Sequence, residues 1–301
     1  MRFLKNIAHS HLSAHLEVAS LHAFNPPFHI NPPKNNPVPV IFNSPHSGRI
    51  YPDAFIRQSL LSKMQLRKNE DAFIDILFNS VTHMGAHLMC AHFPRCFVDI
   101  NRAPYDLPFC GDEHPHPISQ RAAFGFGVIP TVIAEGMDIY KRPLKPEVIQ
   151  ARLDRIYKPY HAALHGLIHT LLGMSGRVLL LDCHSMPSQS PSGVRQPDII
   201  LGDRHGLTCR PETLYMIERN FRKLGYEVER NYPYAGGYIT SHYGHPKQGI
   251  EVVQIEINRD LYLDQGTLKL KTDYNQLQDN LRHISHEIIS EFNGFHRVAA
   301  Q

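Results

Sequence analysis

The sequence lacks the features that mark several large protein classes. Its five cysteines, Cys90, Cys96, Cys110, Cys183 and Cys209, are odd in number and include no C-x-x-C pair. That argues against a disulfide framework or a cysteine zinc finger, and for reduced thiols in a cytoplasmic protein. No stretch of 18 apolar residues occurs, and residues 1–24 are broken by polar positions every two or three. Neither a membrane span nor a signal peptide is expected, so no membrane partner is either. Charge of one sign is also scarce: 31 basic against 28 acidic residues leave a net charge of +3. A dedicated nucleic-acid binder carries a clustered basic surplus, so no nucleic-acid partner is expected. The 23 prolines and 19 glycines are spread over 301 residues without low-complexity tracts or internal repeats. Histidine, by contrast, is abundant at 21 residues. It is the commonest metal ligand and the usual proton carrier near neutral pH, so the positions of these histidines matter.

Residues 1–36 are expected to form an N-terminal arm. A short amphipathic helix over 1–24 precedes FNPPFHINPPKNNPVP, where Pro-Pro pairs enforce extended backbone. From 37 to 301, apolar runs and helical stripes alternate. Strands are expected at 38–43, in AHLMCAHF, in RCFVDINR and GVIPTVI, and at 177–183, 198–201, 226–229 and 252–257. Helices are expected at 70–83, at 146–174 with a bend near 158–160, at 211–224 and at 267–292. The third has Pro211 in its first turn and Gly225 as its stop. The alternation predicts a single α/β domain with a mostly parallel, mixed central sheet flanked by helices.

Sites in open α/β sheets gather at the carboxyl ends of strands. His46 follows the strand at 38–43 in SPHSG, and His184 follows the strand at 177–183 in DCHS. Glu70 and Asp71 open the next helix, and a carboxylate there can turn to the same rim. Two histidines and a glutamate with an open fourth position are the ligand pattern of hydrolytic zinc. His46 taken singly is equally suited to loop hydrogen bonding. Asp182, two residues before His184, shares its strand face and can hold the imidazole's second nitrogen, or it can cap the following turn. Glu256 lies inside the apolar strand VVQIEIN on the face of Gln254. A buried glutamate is costly unless paired or functional, so Glu256 is the candidate general base, with an ion pair to Arg259 as the alternative.

Two Asn-Arg pairs, Asn101-Arg102 and Asn258-Arg259, end apolar strands. With Arg95 and Arg204 they supply guanidinium forks that suit carboxylates, and hence a small anionic substrate. PYAGGYITSHYG is glycine-rich without the order of a phosphate-binding loop, and is expected as a flexible loop over the crevice.

The segments FNSPHSGRIYP, NEDAFID, FPRCFVDINR, YKPYH, LLLDCHSMPS, PDIILGDRHG, NYPYAGGYIT and QIEINRDLYLD resemble, in order, those of the N-formylglutamate amidohydrolase (N-formylglutamate deformylase) family. The resemblance covers roughly residues 28–265. It implies a cytoplasmic amidohydrolase of histidine degradation, with the fold of zinc exopeptidases such as carboxypeptidases and aspartoacylase. By position it implies one zinc ion on His46, Glu70 and His184, with the adjacent acid Asp71 as the alternative to Glu70. It also implies Glu256 activating water, Arg95 on the scissile carbonyl, and Asn101 with Arg102 on a carboxylate or carbonyl. Arg259 and Arg204 complete the expected substrate contacts. The expected reaction cleaves N-formyl-L-glutamate, a small N-acyl amino acid, to formate and L-glutamate.

Three alternatives stay open at this point. One is a zinc amidase or peptidase of the same fold acting on another N-acyl amino acid or a cell-wall peptide. Another is an enzyme using iron or manganese, since the ligand set does not dictate zinc. The last is a non-catalytic metal- or ligand-binding module.

Overall fold

A computed structural model describes residues 18–107, 119–133 and 136–299. Most of the helix expected over 1–24 lies outside the described residues. The chain forms two compact units. The first holds residues 18–28, Gly48–Glu70 and Ala91–Ala162, and the second holds His29–Ser47, Asp71–Cys90 and residues 163–299.

The strands are β1 (Phe28–Asn31), β2 (Val40–Ser44), β3 (His87–Ala91), β4 (Val178–Met186), β5 (Ile199–Gly202), β6 (Val228–Arg230) and β7 (Ile250–Asn258). They form a seven-stranded sheet in the order β1-β3-β2-β4-β7-β5-β6. The pairs β2–β3, β2–β4, β4–β7 and β5–β6 are parallel, while β5–β7 is antiparallel. The helices are α1 (Asp53–Gln58), α2 (Lys63–Arg67), α3 (Ile74–Leu77), α4 (Gln120–Ala123), α5 (Pro146–Arg152), α6 (Lys158–Ser175), α7 (Pro211–Lys223), α8 (Tyr238–Tyr243) and α9 (Tyr274–Ala299).

In the second unit, all nine residues of β4 and all nine of β7 are buried. That explains why both look like continuous apolar runs, as strands covered on two faces do. Side chains alternate between faces along each strand. Phe42, Leu181 and Val253 form one register row across β2, β4 and β7 and belong to the apolar core with Phe78, Leu281 and Phe292. The next row, Asn43, Asp182 and Gln254, therefore faces the other way, as does the pair His184 and Glu256 two positions on. One face builds the core while the other collects polar groups near the carboxyl ends of the parallel strands.

Three sequence expectations change. The helix over 70–83 is one turn, α3, followed by a 3-10 turn at Asn79–Met84. Phe73 enters it with a left-handed φ of 66°, which interrupts any helix starting at Glu70. RCFVDINR forms turns rather than a strand, and GVIPTVI forms bends with one isolated bridge, Val132 to Asp138. Within the first unit, the Asp99 carboxylate accepts from the Asn101 N–H at 2.9 Å and Arg102 Nε donates to the Phe126 carbonyl at 3.0 Å. Side chains thus satisfy backbone groups that a ladder would use. The bend expected near Lys158 is a π-turn over Leu153–Tyr157, just ahead of Pro159, whose missing N–H an uninterrupted α-helix cannot accommodate. By contrast α7 starts at Pro211 and stops before Gly225, whose φ of 86° is the left-handed closing conformation.

Phe42 is fully buried, and its ring centroid lies 5.5 Å from that of Phe78. Replacing Phe42 with Ala is expected to destabilise the protein by about 3–5 kcal/mol. A denaturation midpoint that falls with an unchanged slope would show it, and an unmoved midpoint would contradict this packing.

Candidate active site

Past the end of β2, the chain turns through His46 and Ser47, and residues 71–75 are laced to that turn. The Asp71 N–H donates to the His46 carbonyl at 3.0 Å. Ser47 Oγ donates to the Asp71 carbonyl and accepts from the Asp75 N–H, both at 3.2 Å. This lacing fixes Asp71 beside His46, while β4 delivers His184. The two imidazole centroids are 4.8 Å apart. His46, Asp71 and His184 are each at most 3% exposed.

Asp71 Oδ2 lies 3.3 Å from His46 Nδ1 and 3.0 Å from His184 Nδ1. Ligands at about 2.0–2.1 Å from a tetrahedral zinc ion stand about 3.3 Å from one another, so both spacings are close to those of ligands on one such ion. The three residues form a group able to hold a metal, with ligand atoms all within 4.8 Å of one another. Behind it, Asp182 Oδ2 is 2.8 Å from His184 Nε2, and Asn43 Nδ2 donates to Asp182 Oδ1 at 2.7 Å. Both ring nitrogens of His184 thus face carboxylates, Nε2 toward Asp182 and Nδ1 toward Asp71. Burial opposes a charge on His184, but Asp182 and Asp71 outweigh it and raise its pKa well above the ordinary value. Glu256 stands beside His184 in the β4–β7 register, buried, with Oε1 accepting from Gln254 Nε2 at 2.8 Å.

A sequence profile of the N-formylglutamate amidohydrolase family matches residues 38–263. The chain belongs to this family of amidohydrolases. Among its relatives is an N-formylglutamate deformylase of Pseudomonas putida, 29% identical over 76% of this chain and 83% of that protein. A Pseudomonas aeruginosa N-formylglutamate deformylase is 28% identical over 77% and 85%. The crystal structure of N-formylglutamate amidohydrolase from Ralstonia eutropha JMP134 superposes with a TM-score of 0.82 at 34% identity, covering 88% of this chain and 98% of that one. An Agrobacterium tumefaciens gene product at 16% identity, TM-score 0.64, covering 88% and 95%, shares the fold.

The other residues expected on metal or substrate have partners of their own in this amidohydrolase-family chain. Of the acidic pair, the structure groups Asp71 with the histidines. The Glu70 carboxylate, in the first unit, instead accepts from Tyr51 Oη at 2.8 Å and from Arg67 Nε at 3.0 Å. Arg259, expected on a substrate carboxylate, is engaged by the site itself. Its Nη2 donates to Asp71 Oδ1 and its Nε to Ser185 Oγ, both at 3.0 Å, while Ser185 Oγ lies 3.2 Å from Asp71 Oδ1. Arg204 is exposed, with its N–H on the Ala235 carbonyl at 2.8 Å.

In the first unit, Arg95 Nη2 meets Asp99 Oδ2 at 2.9 Å, and Arg102 Nη1 donates to the Asn101 carbonyl at 3.1 Å. Burial, with help from Arg95 and Arg121 and against Asp99, lowers the Arg102 pKa from its usual value. Asn101 is buried. Asn43, Ser185 and Gln254 carry parts that sequence reasoning did not assign. For Asn43 and Gln254 the available signal was a polar residue on an apolar strand, Gln254 sharing its face with Glu256, whereas Ser185 has the core-side parity of Leu181 and Cys183 and period two does not single it out.

Two outcomes follow for metal binding. Asp71→Asn is expected to lose tightly held zinc on dialysis while Glu70→Gln retains it, with Arg259→Met intermediate at about 10- to 100-fold weaker affinity. Zinc retained by Asp71→Asn and lost by Glu70→Gln would reverse the assignment. Because the raised pKa of His184 lets protons compete for a ligand nitrogen, zinc affinity should climb as pH rises from 6 to 8. Titrations giving equal affinity at both pH values would contradict this.

Proposed function

We propose that the protein hydrolyses the formyl amide of N-formyl-L-glutamate, giving formate and L-glutamate, with one zinc ion held by His46, Asp71 and His184. The observation that carries this reading is the buried pair of imidazoles around one carboxylate oxygen, in a member of the N-formylglutamate amidohydrolase family. The substrate comes from the names borne by the relatives. The ion would supply Lewis acidity, lowering the pKa of a water and polarising the formyl carbonyl.

The remaining chemistry belongs to the chain's own side chains. Glu256 takes one proton from the attacking water and delivers it to the departing amine, and the hydroxyl left on the formyl carbon gives up the second, leaving formate and an ammonium group. Its place beside His184 in the parallel register supports that role. Arg95 donates to the carbonyl oxygen as negative charge develops there, a contact of the kind worth about 3–4 kcal/mol. Asn101, Arg102 and Arg204 bind substrate carboxylate, as guanidiniums and amides do. Arg259 and Ser185 hold Asp71, so Arg259 serves the metal rather than the substrate.

The reading carries with it a cytoplasmic setting and a place in histidine degradation. Cys90, Cys96, Cys183 and Cys209 are buried free thiols, which suits a reducing compartment. Among the described residues, no helix is long and apolar enough to cross a membrane.

Formate release from N-formyl-L-glutamate, with N-acetyl-L-aspartate as the competing substrate, tests the proposal. Wild type should prefer the formyl compound, and Glu256→Gln should lose about 10²- to 10⁴-fold in turnover with zinc content unchanged. A Glu256→Gln variant as active as wild type would remove Glu256 from the chemistry, and preference for the acetyl compound would remove the substrate.

A further inference from the structure

The Glu256 carboxylate is tied to a distant stretch of backbone through a single side chain. Gln254, two residues earlier on β7 and 5% exposed, makes two hydrogen bonds. Its Nε2 donates to Glu256 Oε1 at 2.8 Å, and its Oε1 accepts from the Gly237 N–H at 2.9 Å. The second bond fixes the first. A backbone N–H only donates, so the amide oxygen must face Gly237 and the amide nitrogen must face Glu256.

Gly237 closes the glycine-rich loop 232–237, which the sequence suggests is flexible and which the structure seats firmly. The Arg204 N–H donates to the Ala235 carbonyl at 2.8 Å. Gly202, the register partner of Gln254 on β5, lies directly under the loop: a Cβ there would stand 2.7 Å from the Ala235 carbonyl carbon and 2.8 Å from the Gly236 nitrogen. Loop backbone, Gln254 and Glu256 form one continuous hydrogen-bonded line.

The neighbouring strand repeats the device. On β4, Asp182 holds His184 from two residues earlier. On β7, Gln254 holds Glu256 in the same way, and the register pairs Asp182 with Gln254 and His184 with Glu256. The charge differs for a physical reason. A carboxylate suits the N–H of an imidazole, whereas a carboxylate beside Glu256 would repel it, and a neutral amide instead donates to it.

We propose that Gln254 is a positioning residue that orients Glu256 for proton transfer and makes that orientation depend on the seating of loop 232–237. The proposal rests on the reading of Glu256 as the proton carrier, and one arm of its test does not require turnover. Gln254→Met keeps the shape and loses both bonds. Gln254→Glu still accepts from Gly237 but cannot donate to Glu256 when ionised.

Both variants should lower kcat for formate release by about 10- to 100-fold, the cost of a displaced catalytic group. KM and zinc content should stay near wild type, because the loss falls on the chemical step. Hydrogen exchange at the Gly237 amide, followed without substrate, should accelerate at least about tenfold in Gln254→Met and in Glu256→Leu, which frees the far end of the line, and stay slow in Gln254→Glu. An unchanged kcat in Gln254→Glu, or a loss confined to KM or zinc content, would overturn the positioning role. Gly237 exchange indifferent to Glu256→Leu would overturn the coupling. A wild-type chain that releases no formate would refute the substrate reading instead, and the exchange experiment would still decide whether the line exists.

Discussion

The site is organised around one carboxylate oxygen, Asp71 Oδ2, which stands 3.3 Å from one histidine nitrogen and 3.0 Å from another inside the protein. A buried carboxylate between two imidazoles is expensive in isolation, because each group gives up its water. The surroundings offset that cost. Arg259 and Ser185 occupy the other oxygen of Asp71, Asp182 occupies the other nitrogen of His184, and Asn43 holds Asp182. Removing one partner from such a buried charged network costs about 3–5 kcal/mol, since the group left behind stays buried. The network is therefore both a stability element and the means of fixing the ligand atoms.

This arrangement is possible because β2, β4 and β7 are parallel neighbours in strict register. One row of the sheet, Phe42, Leu181 and Val253, packs the apolar core. The adjacent row, Asn43, Asp182 and Gln254, shares its face with His184 and Glu256 two residues further on. Core and site are made by alternate residues of the same strands, so the rigidity of the first is passed to the second. A strand slipped by one residue would turn Asp182 and Glu256 into the core and unfold the sheet, which makes the register hard to lose.

Much of this was legible in the sequence because it follows from strand periodicity. The apolar runs ending at His46 and His184, the face shared by Asp182 and His184, and the glutamate inside VVQIEIN all come from alternation and strand-end position. The choice between Glu70 and Asp71 was not legible. Adjacent acids differ only in which way the backbone presents them, and the presentation depends on the left-handed Phe73 and the Ser47 lacing, both products of tertiary context. The bond from Arg259 to Asp71 was not legible for a similar reason: a guanidinium suits a ligand's carboxylate and the protein's own equally well, and only the fold brings Asp71 within 3.0 Å of it. RCFVDINR reads as a strand from its short apolar run Cys96-Phe97-Val98, but Asp99 and Arg102 bond to nearby backbone and turn it.

The central claim is that His46, Asp71 and His184 together hold the metal. Diffraction from zinc-loaded crystals, recorded above and below the zinc edge, addresses it most directly. The account predicts one anomalous peak bonded to His46 Nδ1, Asp71 Oδ2 and His184 Nδ1, with Arg259 still on Asp71 Oδ1. A peak bonded to Glu70 in place of Asp71, or no peak at the paired histidines, would contradict it.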